Sequence, residues 1–239
     1  MGWLDTDRRL VIAHRGASSA APENTMAAFA LAIDLGADGV ELDVRRSREG
    51  QLVVIHDASV DRVTGTPGEV AAMSLEELHG LDAGVRFNAR FAGERIPTLR
   101  EVLSLARGRL LVDIELKVAG IESQVFEAVR GAGMHDSVLI TSFLEDAVAA
   151  SIAQGRGIAA GLLQERADMD RAFDLGVPVY LPSIRALSGE VMKTCGERGV
   201  RVISWTVRTE EDARRALEFG VHGIIADDPT LIRTALERS

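Results

Sequence analysis

Cysteine is almost absent from this chain of 239 residues. The single one, Cys195, rules out an intrachain disulfide framework and fits a reducing compartment. Its setting, EVMKTCGERG, reads as a small apolar helix position. Excess positive charge is missing too: 27 Lys and Arg against 36 Asp and Glu leave a formal charge of −9. That balance argues against a nucleic-acid-coating surface and a polybasic membrane patch, while leaving room for a local cationic pocket. No segment is long and uncharged enough to span a bilayer, and the opening MGWLDTDRRL has no apolar core followed by a cleavage site. These absences point to a cytoplasmic protein with no nucleic-acid partner and no stable membrane insertion; they leave oligomeric state unspecified. Low-complexity tracts, charge blocks and Pro/Gly/Ser linkers are also lacking, so a single domain over 1–239 is expected.

What is present is 46% hydrophobic residues, arranged as short apolar runs alternating with stretches of helical periodicity. This is the signature of repeated βα units around a parallel sheet. Eight strands are expected, at RLVIAH, DGVELDV, LLVDIELK, SVLITSF, GIAAGLL, VPVYLP, VRVISWTV and HGIIAD. Helices are expected at ENTMAAFALAIDLG, ESQVFEAVRGAG, EDAVAASIAQG and TEEDARRALEFG, several closed by glycine. Thr98 with Glu101, and Thr209 with Asp212, have the spacing of a capping box. Eight units in this length fit a closed (β/α)8 TIM barrel better than an open doubly wound sheet. One region breaks the rhythm. RRSREGQLVVIHD reads as a hairpin turning at Glu49-Gly50, with an extra strand ending in His56, and residues 57–97 then form a long inserted subdomain with a short helix at SLEELHG.

Side chains two apart on a strand share a face. ELD therefore projects Glu41 and Asp43 together, and DIELK projects Asp113, Glu115 and Lys117 together, with the intervening apolar residues turned toward the helices. Polar groups inside a barrel are costly unless paired or coordinated, and the C-terminal strand ends are where such barrels carry their active sites. Glu41, Asp43 and Glu115 make a hard oxygen-ligand set suited to one divalent cation, Mg²⁺ or Ca²⁺, rather than zinc. His14 ends the first strand and His56 the hairpin strand, so both can reach the same mouth. His79, His135 and His222 lack such neighbours and read as structural. Two imidazoles, the cations Arg15 and Lys117, and a metal suit a phosphodiester: the cations and metal neutralise its oxygens, and the histidines move the two protons. A zinc amidohydrolase would want His-x-His where this chain has His14, Arg15, Gly16. A Schiff-base lysine would need a depressed pKa, whereas carboxylates beside Lys117 favour its charged form.

HRG, PENT, ELDV, VVIHD, GERIPTL and IELK, followed by DRVTG, LDAG, TSF, SWTV and GIIADDP, resemble the glycerophosphodiester phosphodiesterases in order and spacing over nearly the whole chain. The resemblance implies a barrel with an insertion after the second strand, a divalent cation, and cleavage of small glycerophosphodiesters to sn-glycerol 3-phosphate and an alcohol. It implies His14 and His56 as the acid/base pair, Glu41, Asp43 and Glu115 as metal ligands, and Arg15 and Lys117 on the phosphate. Trp205, in SWTV, would pack on the glycerol, with Phe143 in a similar place. Glu23, in PENT, would add polar support from the first turn of a helix. Two stretches depart from the family pattern: Arg86 stands where an aromatic is common, and YLPSIRAL has no family signature. Both bear on the choice of alcohol rather than on the reaction. Deacylated phospholipids such as glycerophosphocholine and glycerophosphoethanolamine are the expected substrates. A lysophospholipase D activity is an alternative that would call for an apolar groove at the insertion. A noncatalytic phosphate-binding barrel is another, which would call for losses among His14, His56, Glu41, Asp43 and Glu115.

Overall fold

The computed structural model of the protein describes residues 2–155 and 157–237; Met1, Arg156, Arg238 and Ser239 of the expected 1–239 domain lie outside the described residues. In chain order the strands are β1 Leu10–His14, β2 Gly39–Arg46, β3 Leu52–Val54, β4 Leu111–Leu116, β5 Val138–Ser142, β6 Ala159–Gln164, β7 Val179–Pro182, β8 Arg201–Val207 and β9 Gly223–Ala226. The helices are α1 Met26–Asp34, α2 Asp61–Thr64, α3 Leu75–His79, α4 Leu99–Ala106, α5 Glu122–Ala132, α6 Glu145–Gln154, α7 Met169–Leu175, α8 Gly189–Glu197, α9 Glu210–Phe219 and α10 Pro229–Glu237. All strands except β3 pair in parallel, in the order β1-β9-β8-β7-β6-β5-β4-β2, and pairing of β1 with β2 closes the ring. This is an eight-stranded (β/α)8 TIM barrel, and each expected barrel strand is one of its staves.

Strand alternation sorts the core into two layers. Leu10 and Ile12 of β1, Leu111 of β4, Leu139 of β5, Leu163 of β6, Leu181 of β7, Ile203 of β8 and Ile225 of β9 fill the barrel interior with Trp3. The alternate residues Val40, Leu42, Val44, Val112, Ile114 and Leu116 pack outward with Phe29 of α1 and Val102 of α4. The inward face is apolar at the N-terminal end of each strand and changes character two residues further on. Ile12 is followed by His14, Leu111 by Asp113 and Glu115, Leu139 by Thr141 and Phe143, Ile203 by Trp205 and Ile225 by Asp227. The polar layer therefore lies at the C-terminal mouth.

Three local expectations need correction. The hairpin strand β3 stops at Val54 rather than at His56. Ile55 still donates to the Asp43 carbonyl, but the His56 carbonyl accepts from Arg45 Nε at 2.8 Å, so a side chain ends the ladder. Glu23 does not stand in a first helical turn: α1 begins at Met26 with Thr25 as its N-cap. The Thr209–Asp212 pair makes only half a capping box, because the shorter Asp212 carboxylate accepts from Arg208 N rather than from Thr209 N. Thr98 and Glu101 make both halves at α4.

Between β3 and α4 the chain carries α2, α3 and two 3-10 turns, Val70–Ala72 and Ala89–Phe91. Val53, Ile55, Val60, Val70, Leu78, Ala83 and Ile96 form a separate small apolar cluster beneath this segment. Among the described residues no helix is long and apolar enough to cross a membrane. Cys195 is buried on α8, and burial pushes its thiol up to about 11.

Candidate active site

The turn after β1 is built on an unusual backbone. Arg15 has φ 55° and Gly16 φ 80°, and a Cβ added to Gly16 would lie 2.6 Å from the Ala28 carbonyl carbon, so only glycine lets the chain turn against α1. Asn24 is also left-handed, at φ 57°, and its backbone N–H donates to the Arg15 carbonyl at 2.9 Å. The PENT stretch thus divides its labour. Asn24 Nδ2 donates to Asp43 Oδ2 at 2.7 Å, Thr25 caps α1 by accepting from Ala28 N, and Glu23 accepts from both Arg15 and Arg62.

Register brings the carboxylates together: His14 pairs across the sheet with Glu41, and Asp43 pairs with Glu115. Glu41, Asp43 and Glu115 are buried, and one oxygen of each lies within 4.8 Å of the others. Burial, reinforced by Asp43 and Glu115, pushes the Glu41 carboxyl well above its ordinary range. Burial and Asp43 raise Glu115 to about 7, against the opposing pull of Lys117 and Arg15. One step deeper, burial takes Asp113 to about 8 although Thr141 donates to it at 2.7 Å. Arg15 Nε stands 3.2 Å from Asp43 Oδ2, and Lys117 Nζ lies 2.6 Å from Glu115 and 3.6 Å from Asp43. Asp43 Oδ1 still has no hydrogen-bond partner. Three carboxylates sharing two cations, with a buried orphan oxygen, form a donor set that a hard divalent cation fits.

The two histidines are held alike. His14 Nδ1 lies 2.6 Å from Asp227 Oδ1, and His56 Nδ1 lies 2.7 Å from Asp57 Oδ1. An ionised carboxylate only accepts, so each fixes Nδ1 as the protonated nitrogen and leaves Nε2 for proton exchange with a ligand. Arg208 Nε binds the second oxygen of Asp227 at 2.8 Å, and Arg62 Nε that of Asp57 at 2.6 Å. Burial lowers the His56 pKa, and the nearby Arg15 and Lys117 charges add to this, against Asp43 and Asp57. Asp57 itself drops to about 2, because hydrogen bonds from Arg62 and His56 outweigh its burial.

His14, Arg15, Glu41, His56, Glu115, Lys117, Phe143 and Trp205 all line one cavity of about 1150 Å³ at the barrel mouth, while Asp43 lies behind its wall with no exposed surface. Phe143 and Trp205 meet edge to face at 5.2 Å, and Trp205 Nε1 donates to the Leu181 carbonyl at 2.7 Å. The remaining histidines sit elsewhere: His79 beside Glu101, His135 beside Asp136, and His222 accepting from Val202 N. Sequence reasoning passed over Asp227, Asp57, Arg62 and Asn24. Asp227 was findable, since Gly223, Ile225 and Asp227 continue the inward alternation of β9 to the mouth. The Arg62 contacts bridge 39 residues to Glu23 and have no periodic signal.

A family model described as the Glycerophosphoryl diester phosphodiesterase family matches residues 14–231. A protein of Caldanaerobacter subterraneus subsp. tengcongensis named glycerophosphodiester phosphodiesterase is 43% identical over 94% of this chain and 97% of its own length. A solved phosphodiesterase of Oleispira antarctica, in complex with the product sn-glycerol-3-phosphate, superposes with a TM-score of 0.88 at 28% identity, covering 96% of this chain and 97% of that one. A glycerophosphodiester phosphodiesterase of Agrobacterium tumefaciens superposes at 0.85 with 30% identity, over 95% and 99% of the two chains.

Proposed function

The chain belongs to the glycerophosphoryl diester phosphodiesterase family, and from that premise we propose a metal-dependent hydrolase, a single barrel domain over 1–239, that cleaves glycerophosphodiesters to sn-glycerol 3-phosphate and an alcohol. The observation that carries this reading is the cavity itself, where two carboxylate-anchored imidazoles share a mouth with Glu41 and Glu115, and Asp43 clusters with these two just behind the wall. Glu41, Asp43 and Glu115 would hold Mg²⁺ or Ca²⁺, which would supply charge neutralisation to the phosphate and Lewis acidity at the reacting centre.

The rest is the work of the chain. Arg15 presents a guanidinium to the phosphate oxygens, with Lys117 as a second point charge. One histidine takes the proton of the glycerol hydroxyl next to the ester, and that oxygen attacks phosphorus. The other gives a proton to the departing alcohol, leaving a cyclic phosphate that water opens with the two histidines exchanging roles. Phe143 and Trp205 offer the glycerol an apolar wall. Each single variant, His14→Ala and His56→Ala, is expected to lower kcat for glycerophosphoethanolamine by about 100-fold or more, the usual reach of general acid–base catalysis. Release of sn-glycerol 3-phosphate at wild-type rates by both variants would refute the acid/base pair.

A further inference from the structure

The cavity has a second charged wall that the reaction does not use. Around the barrel the strands run β1, β2, β4, β5, β6, β7, β8, β9 and back to β1, so β6 stands across from β1 and β7 across from β2. His14 ends β1, and Glu41 and Asp43 lie on β2; Arg166 follows β6 and Arg185 follows β7. Both arginines are exposed and line the same cavity as His14 and Arg15. Arg208, on a third loop, is engaged by Asp227. Among the described residues no carboxylate lies within ion-pair distance of Arg166 or Arg185. Two acidic groups share that side: Glu165, adjacent in sequence to Arg166, and Asp212, whose carboxylate accepts from Arg208 N at the start of α9.

A guanidinium is a rigid fork of donors matched to planar or tetrahedral oxyanions. Arg166 and Arg185, on neighbouring loops of one cavity, have no carboxylate partner among the described residues and so offer two free oxyanion-binding forks at that end. Phe143, just after β5, and Trp205, on β8, would take the glycerol, and Arg15 the reacting phosphate; the alcohol is the remaining part of the substrate, and the loops between those two aromatics carry Arg166 and Arg185. Resting on the phosphodiesterase reading above, we propose that Arg166 and Arg185 select glycerophosphodiesters whose leaving alcohol carries a second anion, a carboxylate or a phosphate monoester, over those with a purely cationic or neutral alcohol. Arg185 belongs to YLPSIRAL, the stretch without a family signature, and so supplies a role to a segment that the shared chemistry leaves unused.

Two matched substrate pairs test this. Glycerophosphoserine differs from glycerophosphoethanolamine by one carboxylate, and glycerophosphoglycerol terminal phosphate differs from glycerophosphoglycerol by one phosphate. In the metal-loaded enzyme, kcat/KM for release of sn-glycerol 3-phosphate is expected to favour the anionic member of at least one pair by about 10-fold, the scale of two partly solvated charge-assisted contacts. In the double variant Arg166→Gln/Arg185→Gln that ratio is expected to fall to near one. Which pair shows the preference identifies the anion as carboxylate or phosphate. Turnover with ratios near or below one in both pairs, or ratios that survive the double variant, would overturn the head-group proposal alone. No turnover of any of the four would overturn the phosphodiesterase reading and this proposal with it.

Discussion

Replacing Asp227 by Asn removes one charge from the site and leaves the shape of the side chain almost unchanged. The Asp227 carboxyl lies below its ordinary pKa, because His14 and Arg208 outweigh its burial, so it is ionised at neutral pH. It thus holds Nδ1 of His14 protonated and stabilises the imidazolium that forms whenever His14 takes a proton. At the observed 2.6 Å, a unit-charge pair is worth about 1.6 kcal/mol in bulk water and about 6 kcal/mol at an effective dielectric of 20. The His14 side chain is 12% exposed and that of Asp227 is 28% exposed, which places the pair between those limits. Arg208, 2.8 Å from the other oxygen, already spends part of the carboxylate's field and moves the value toward the lower limit. A loss of about 2–3 kcal/mol follows, or about 30- to 200-fold in kcat/KM. The assay is sn-glycerol 3-phosphate release from glycerophosphoethanolamine across pH 5–9, with thermal unfolding of the variant as the control for folding. Activity within about 3-fold of wild type, in a variant that unfolds at the wild-type temperature, would refute the argument that Asp227 sets the state of His14.

Gly16→Ala places a methyl group against the Ala28 carbonyl at φ 80° and is expected to cost about 2–4 kcal/mol by urea unfolding, combining overpacking with left-handed strain; a cost below about 1 kcal/mol would mean the turn relaxes freely. Asp57 has its pKa lowered from 3.8 to about 2, so the unfolded state binds its proton first as pH falls. Its contribution to stability is complete above about pH 4 and is lost as pH drops toward 2, with a size of about 1 kcal/mol once solvent screening at this partly exposed site is allowed for. The gap in urea midpoint between wild type and Asp57→Asn should accordingly be present at pH 5 and shrink by pH 2.5; an equal gap at both would place its origin elsewhere.

The barrel was legible in the sequence because its code is local. Short apolar runs such as LVIA alternate with helices around the ring, several of the helices closed by glycine, and alternation within each strand says which residues face inward. That same alternation placed Glu41, Asp43, Glu115 and Lys117 on one side of their strands, and the structure puts three of these four on the cavity wall, with Asp43 just behind it. What was not legible depends on partners distant in sequence or on backbone outside the regular regions. Glu23 was expected inside a helix from its position in PENT. The left-handed Asn24 and the Thr25 cap delay the helix by several residues and free Glu23 to bridge Arg15 and Arg62. Asp57 was hidden in plain sight beside His56, because a neighbour in sequence on an irregular segment carries no signal of direction. The arginines at the far wall were equally silent, since only closure of the ring sets β6 and β7 opposite β1 and β2.

The proposed hydrolysis depends on a cation held by Glu41, Asp43 and Glu115. The most direct measurement is the rate of sn-glycerol 3-phosphate release from a glycerophosphodiester after removal of divalent ions with EDTA, and again after Mg²⁺ or Ca²⁺ is restored. Activity lost on chelation, regained with one of those ions, and not regained in Glu115→Gln is the predicted result. Hydrolysis that continues undiminished in excess EDTA would contradict it.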